Sequence, residues 1–115
     1  MKKAFVKIDW IPFEAGGRKH PPLGSSFIAV AKFPDQSEEA WRKHAWSVRL
    51  ELLEGEQDAP QGSAYAFAQF LSSQAPQERL SPGTAFELCE GAHPVAQVQV
   101  LLSERLIERL VALAA

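Results

Sequence analysis

Residues 14–24 have the sequence Glu-Ala-Gly-Gly-Arg-Lys-His-Pro-Pro-Leu-Gly and separate two runs in which apolar and polar residues alternate. The glycines can adopt backbone angles that are closed to other residues, whereas the prolines stiffen the chain around them. Such a loop is either a demanding structural corner or a surface that presents a binding site. Its centre combines paired glycines with cationic or titratable side chains: Gly16, Gly17, Arg18, Lys19 and His20.

Both interpretations of this loop have a physical basis. The backbone N–H groups of Gly16 and Gly17, together with nearby cations, could cradle an anion. Alternatively, the glycines supply the positive φ angles of a corner, and Arg18 tethers the loop to a nearby carboxylate or carbonyl. We favour the structural corner, because glycine is commoner in tight turns than at anion sites.

The segments outside the loop have the period of two that is typical of strands with one buried face. Turn-forming residues separate successive runs. In the fourth run, Ala66, Ala68 and Phe70 fall on one face, and the small size of the alanines predicts close packing there. The pattern predicts six strands: 3–11, 27–33, 46–52, 64–71, 84–90 and 95–101.

Residues 35–44 are ambiguous. They form either a short capped helix, with acids in the first turn and bases in the last, or a long connection beside a strand. We prefer an irregular connection that contains one helical turn. If Trp41 is exposed there, it is the best single candidate for a contact with a partner.

The chain changes to a helical period at its end. Leu106, Leu110 and Leu113 recur at the spacing of one helix face, and Ser103 is the expected N-cap. The apolar face of this helix must be covered, either by the rest of the domain or by a second subunit. Strands without alternating helices indicate an antiparallel sandwich or barrel over the rest of the chain.

Composition restricts the possible functions. The chain has 115 residues, a net charge of −2 and a pI of about 5.9, which disfavours free-standing nucleic-acid binding, and we expect no DNA partner. Lys7, Asp9 and Glu14 interrupt any apolar run behind the N-terminus, so neither a signal peptide nor a membrane helix is expected. Cys89 is the only cysteine, which excludes an internal disulfide and favours a cytoplasmic protein.

Catalytic and metal chemistry have little support in the sequence. Cys89 and His93 are four residues apart, but the predicted strand and turn place them in different local structures. His20, His44 and His93 lack the spacing of metal ligands. We therefore expect no cofactor, no metal and no enzymatic activity.

Two groups of residues, one at each end of the chain, occur in a recognisable order. The first comprises Ile8 to Ile11, Glu14, Gly16-Gly17-Arg18, Pro21-Pro22, Gly24 and the strand that ends at Phe33. The second comprises Leu80, Gly83, Phe86, Leu88, Glu90-Gly91, Val95 and Val98 to Val100. Together they resemble the start and the closing hairpin of the C-terminal β-barrel of elongation factor Tu, over roughly half of the chain.

The resemblance implies a six-stranded antiparallel barrel, which in the translation factors contacts the T-stem of aminoacyl-tRNA and packs on a GTPase domain. This sequence departs from the family at the closing turn, where Ala92 and His93 stand in place of glycine and arginine. It also has no Gly-x-x-x-x-Gly-Lys-Ser/Thr run. The expected fold is all-β with a C-terminal helix: a barrel over residues 1–102, and a helix over 103–115 that packs on the barrel or on a partner subunit.

Two functional hypotheses follow. The first is a non-enzymatic, stand-alone binding module, similar to the elongation-factor barrel, for a protein or RNA partner. The second is a protein-interaction or immunity-type protein that acts through its C-terminal helix and homodimerises, with no role in translation. The candidate partner-binding residues are Gly16, Gly17, Arg18, Lys19, His20, Trp41, Gly91 and His93.

Overall fold

The computed structural model describes residues 2–12, 26–53 and 63–114. The predicted binding residues of the first loop, 16–20, lie outside these ranges. The strands are β1 (Lys3–Trp10), β2 (Ser26–Lys32), β3 (Trp46–Leu52), β4 (Ser63–Phe70), β5 (Ala85–Glu90) and β6 (His93–Leu102). The helices are α1 (Glu38–Lys43) and α2 (Glu104–Ala114), and a short 3₁₀ turn spans Gln77–Arg79.

Within the described residues, the six strands close into a barrel in the order β1-β4-β3-β2-β5-β6, and every neighbouring pair is antiparallel. The predicted six-stranded barrel with a C-terminal helix is therefore confirmed. β6 begins at His93, two residues earlier than predicted. The reason is the tight turn after β5, which uses only Gly91, at a φ of +59°, and Ala92.

The barrel interior combines small residues on β4, branched aliphatic residues from other strands and a cluster of aromatic rings. Ala64, Ala66 and Ala68 of β4 are fully buried, as the alternation predicted. Their neighbours on β1 are also buried; Ala66, for example, lies opposite Val6. A cluster of three rings completes the core: the centroid of Phe33 lies 5.1 Å from that of Phe86 and 6.4 Å from that of Phe70.

The structure corrects our preference for an irregular connection at residues 35–44. A capped helix, α1, spans Glu38–Lys43, and the N–H of Ala40 donates to the hydroxyl of Ser37 at 3.1 Å. Acids occupy the first turn and bases the last, so the charges match the helix dipole. Lys32 of β2 also pairs with Glu38, which ties the start of the helix to the barrel wall.

Trp41 does not meet the condition under which we proposed it as a partner contact. Its side chain is only 7% exposed, and its indole Nε1 donates to the carbonyl oxygen of Ala31 at 3.0 Å. The ammonium of Lys32 lies 5.2 Å from the ring centroid. Trp41 therefore anchors α1 on the outside of β2.

An ion pair joins the turn after β2 to the 3₁₀ turn. Both terminal nitrogens of Arg79 donate to the Asp35 carboxylate at 2.6 Å, in the two-pronged geometry that suits a planar guanidinium. The same guanidinium lies 4.8 Å from the centroid of Phe33. Arg79 thus connects a surface carboxylate with the buried ring cluster.

The C-terminal helix begins where the sequence predicted. The hydroxyl of Ser103 accepts from the N–H of Leu106 at 3.3 Å, and its carbonyl accepts from the N–H of Ile107 at 3.0 Å. α2 contacts β1 and β6 on the outside of the barrel, and none of its described residues is buried. The helix is therefore only partly covered by its own domain.

We expect Ala66→Leu to destabilise the protein by about 3 kcal/mol, because the closed wall leaves no room for a larger side chain. Ala85→Leu is the matched control, since Ala85 is an exposed strand residue. Chemical denaturation followed by circular dichroism measures both. Equal free energies of unfolding for the two variants would contradict a tightly packed interior.

We expect Asp35→Asn to lower stability at neutral pH and to have a smaller effect in acid. The Arg79 hydrogen bonds hold the pKa of the Asp35 carboxyl below its ordinary value. A lowered pKa in the folded state stabilises the protein above the unfolded value of about 3.9, and this contribution is lost as the pH falls through the folded value.

Thermal unfolding at neutral pH and below about pH 4 measures the effect of this substitution. Glu39→Gln, which removes one side of the exposed Glu39–Lys43 pair, is the control and should change little at either pH. If Asp35→Asn lowered the melting temperature equally at both pH values, loss of the ion pair would not be the cause of the destabilisation.

Candidate apolar interaction site

The outer wall of the barrel carries a cluster of aromatic side chains. Because residues alternate between the two faces of a strand, the buried alanines of β4 place Tyr65 and Phe67 on the outside. The register sets Phe67 directly opposite Phe5 of β1, and Tyr65 opposite Lys7. The ring of Phe5 is nearly parallel to that of Tyr65, at 8° and 5.8 Å, and tilted against that of Phe67, also at 5.8 Å.

The first turns of α2 pack against this cluster, and an apolar groove remains between the helix and the wall. We call this feature the α2 groove. It has a volume of about 210 Å³ and is lined by Phe5, Phe67, Leu102, Ile107, Leu110 and Val111. All six lining side chains are apolar, so the groove offers contact area without hydrogen-bonding groups of its own.

The C-terminal half of α2 is the most exposed apolar segment that the structure describes. Leu110 is 52% exposed, Val111 64% and Leu113 83%, whereas Leu106 and Ile107 are half-buried. Exposure of several large apolar side chains next to one another is unfavourable unless they meet a partner. The apolar helix face predicted from the sequence is therefore covered by the barrel only near its start.

The second predicted site, the closing turn, is exposed but offers little recognition chemistry. Gly91 and His93 both lie on the surface, at and just after the turn between β5 and β6. His93 pairs in register with Glu90. The structure does not bring this turn together with the α2 groove, which is lined from β1, β4, α2 and the end of β6.

Cys89 has the properties of a packed structural residue. It is only 2% exposed, and burial, aided by the Glu87 carboxylate, raises the pKa of its thiol. A raised pKa keeps the thiol protonated at neutral pH, and the protonated form is a poor nucleophile. In the hairpin register, Cys89 lies opposite Pro94 rather than His93, so the two residues do not form a catalytic pair.

Neither a metal-binding cluster nor a membrane-spanning helix is found in the part of the chain that the structure describes. In residues 2–12, 26–53 and 63–114, no group of histidine, cysteine, aspartate and glutamate side chains could hold a metal ion. No helix in these ranges has the length and apolar character needed to cross a membrane.

Sequence reasoning predicted the helix side of the groove but missed the barrel side. Phe5, Tyr65 and Phe67 each lie out of phase with the buried residues of their strands, which is the signal that could have placed them outside. What the alternation alone does not supply is the register that sets β1 beside β4. This pairing joins residues about sixty positions apart and brings Phe5 and Phe67 together.

Comparison with known proteins does not assign this chain to a family. No protein-family model matches the chain, and no curated protein sequence matches it.

Proposed function

We propose that this protein is a non-enzymatic binding module that receives a segment of another protein in the α2 groove. The observation that carries this proposal is the run of exposed apolar side chains on α2 beside the aromatic wall. Partner contacts gain most of their energy from buried aromatic and aliphatic anchors in such pockets. Phe5 and Phe67 are suited to be the floor, and Leu110 and Val111 the side.

The closed barrel favours recognition by side chains over recognition by backbone. β1 pairs with β4 and β6, and β4 pairs with β1 and β3, so the strands at the groove have neighbours on both sides. An added strand needs a free sheet edge, which this wall does not offer. A helix laid into the groove needs only an apolar surface, and it is therefore the favoured form of partner.

A second candidate function follows from the resemblance to the elongation-factor barrel. In this view the module is cytoplasmic and binds RNA through residues 16–23 and the turn at 90–94. The exposed positions of Gly91 and His93 are compatible with it. The net charge of −2 weighs against it, because contacts to phosphate need an excess of cations.

Site-specific photo-cross-linking in cells distinguishes these functions. A benzophenone side chain at position 113, at the exposed apolar end of α2 just beyond Leu110 and Val111, reports on a partner that lies along the groove. The same group at position 112, an exposed residue that does not line the groove, is the control. We expect a discrete protein adduct from position 113 and none from position 112. Leu110→Asn should remove the adduct because it places a polar amide in the apolar groove.

An adduct containing two copies of the chain also supports a groove that binds protein, with a second copy as the occupant. Equal adducts from both positions, or no adduct from either, would overturn the proposal. An adduct that disappears after ribonuclease treatment would favour the RNA alternative.

A further inference from the structure

The register of the outer wall places two cations beside the aromatic floor of the α2 groove. Lys3 lies opposite Gln69, and Gln69 lies opposite Arg49, so the three form one row across β1, β4 and β3. The next row, two residues along each strand, contains Phe5 and Phe67. The cationic row therefore runs along one side of the floor.

These two cations lack the ion pairs that other charged residues of the barrel make. In the described part of the chain, neither Lys3 nor Arg49 has a carboxylate within ion-pair distance, and both are exposed. By contrast, Lys7 lies 4.0 Å from Asp9. The row that contains Phe5 and Phe67 has one carboxylate, that of Glu51 on β3. Phe67 lies between Glu51 and Phe5.

We propose that the occupant of the groove is an amphipathic helix with acidic residues along one edge of its apolar face. The inference rests on the proposed function and adds the chemistry of the partner. The apolar face of the helix contacts Phe5, Phe67 and Leu110, and its acidic edge lies over Lys3 and Arg49. Complementary charge beside an apolar contact sets the orientation of a bound helix and excludes partners of the wrong sign.

Three labelled peptides test this inference by fluorescence anisotropy with the full chain. The first contains two repeats of Leu-Glu-Glu-Leu-Leu-Glu-Glu, and the others replace every glutamate by glutamine or by lysine. We expect the glutamate peptide to bind tightest and the lysine peptide weakest. Added salt should weaken the glutamate peptide more than the glutamine peptide, because salt screens exposed charges.

Substitutions in the protein test whether Lys3 and Arg49 are the cations that favour the glutamate peptide. Lys3→Gln combined with Arg49→Gln should weaken the glutamate peptide by about threefold to tenfold and leave the glutamine peptide unchanged, since each exposed ion pair contributes little. Arg42→Gln, an exposed cation on α1, is the matched control and should have no effect. Circular dichroism confirms that each variant is folded.

The same peptides distinguish a failure of the proposed groove from a failure of the inference about acidic partners. If Leu110→Asn weakens all three peptides equally but charge has no influence, the groove binds protein and the inference about acidic partners is wrong. If Leu110→Asn changes none of them, both the groove and the inference fail. Displacement of the glutamate peptide by oligouridylate RNA would overturn the inference by assigning the cationic row to nucleic acid.

Discussion

The interior of a six-stranded barrel is narrow, and this limit on volume determines where the other features lie. Eight strands leave an interior that side chains just fill, so six strands leave less room. β4 satisfies the limit with Ala64, Ala66 and Ala68 on its inner face. Since a strand alternates its faces, Tyr65 and Phe67 lie on the outer face of β4, whereas Phe70, in phase with the alanines, lies in the core. The alternation that buries the alanines of β4 thus also places the aromatic wall of the α2 groove on the outside of the barrel.

α2 lies on the outside of the barrel, where it covers part of the aromatic wall. Phe5 and Phe67 lie side by side on the wall and would expose two adjacent rings without a cover. The start of α2 covers part of this surface through Ile107, while Leu110 and Val111 remain exposed beyond it. The uncovered half of the helix and the rings together form one apolar site.

The fold could be predicted from the sequence because its signals are local. Alternation in β1, β3 and β4 and the cap at Ser103 follow from neighbouring residues, and the structure agrees with them. The preference for an irregular connection at residues 35–44 was wrong because a six-residue helix has little periodicity. One of the contacts that hold α1 in place, from Trp41 to the Ala31 carbonyl, joins residues ten positions apart. The groove needed the pairing of β1 with β4, which no local pattern reveals.

The proposed function rests on the contrast between two exposed regions, the closing turn and the α2 groove. The closing turn at Gly91 and His93 is small, whereas the α2 groove is apolar and lies beside the row of Lys3 and Arg49, which make no ion pair within the part of the chain that the structure describes. A protein helix with an acidic edge fits both properties of the site.

The most direct measurement is a nitrogen–proton correlation spectrum of the labelled protein during titration with the glutamate peptide. The account predicts concerted shifts confined to residues 3–7, 49–51, 65–69 and 102–113, with the closing turn unchanged. Shifts centred on Gly91–Pro94, or a spectrum that does not respond to the peptide, would contradict it.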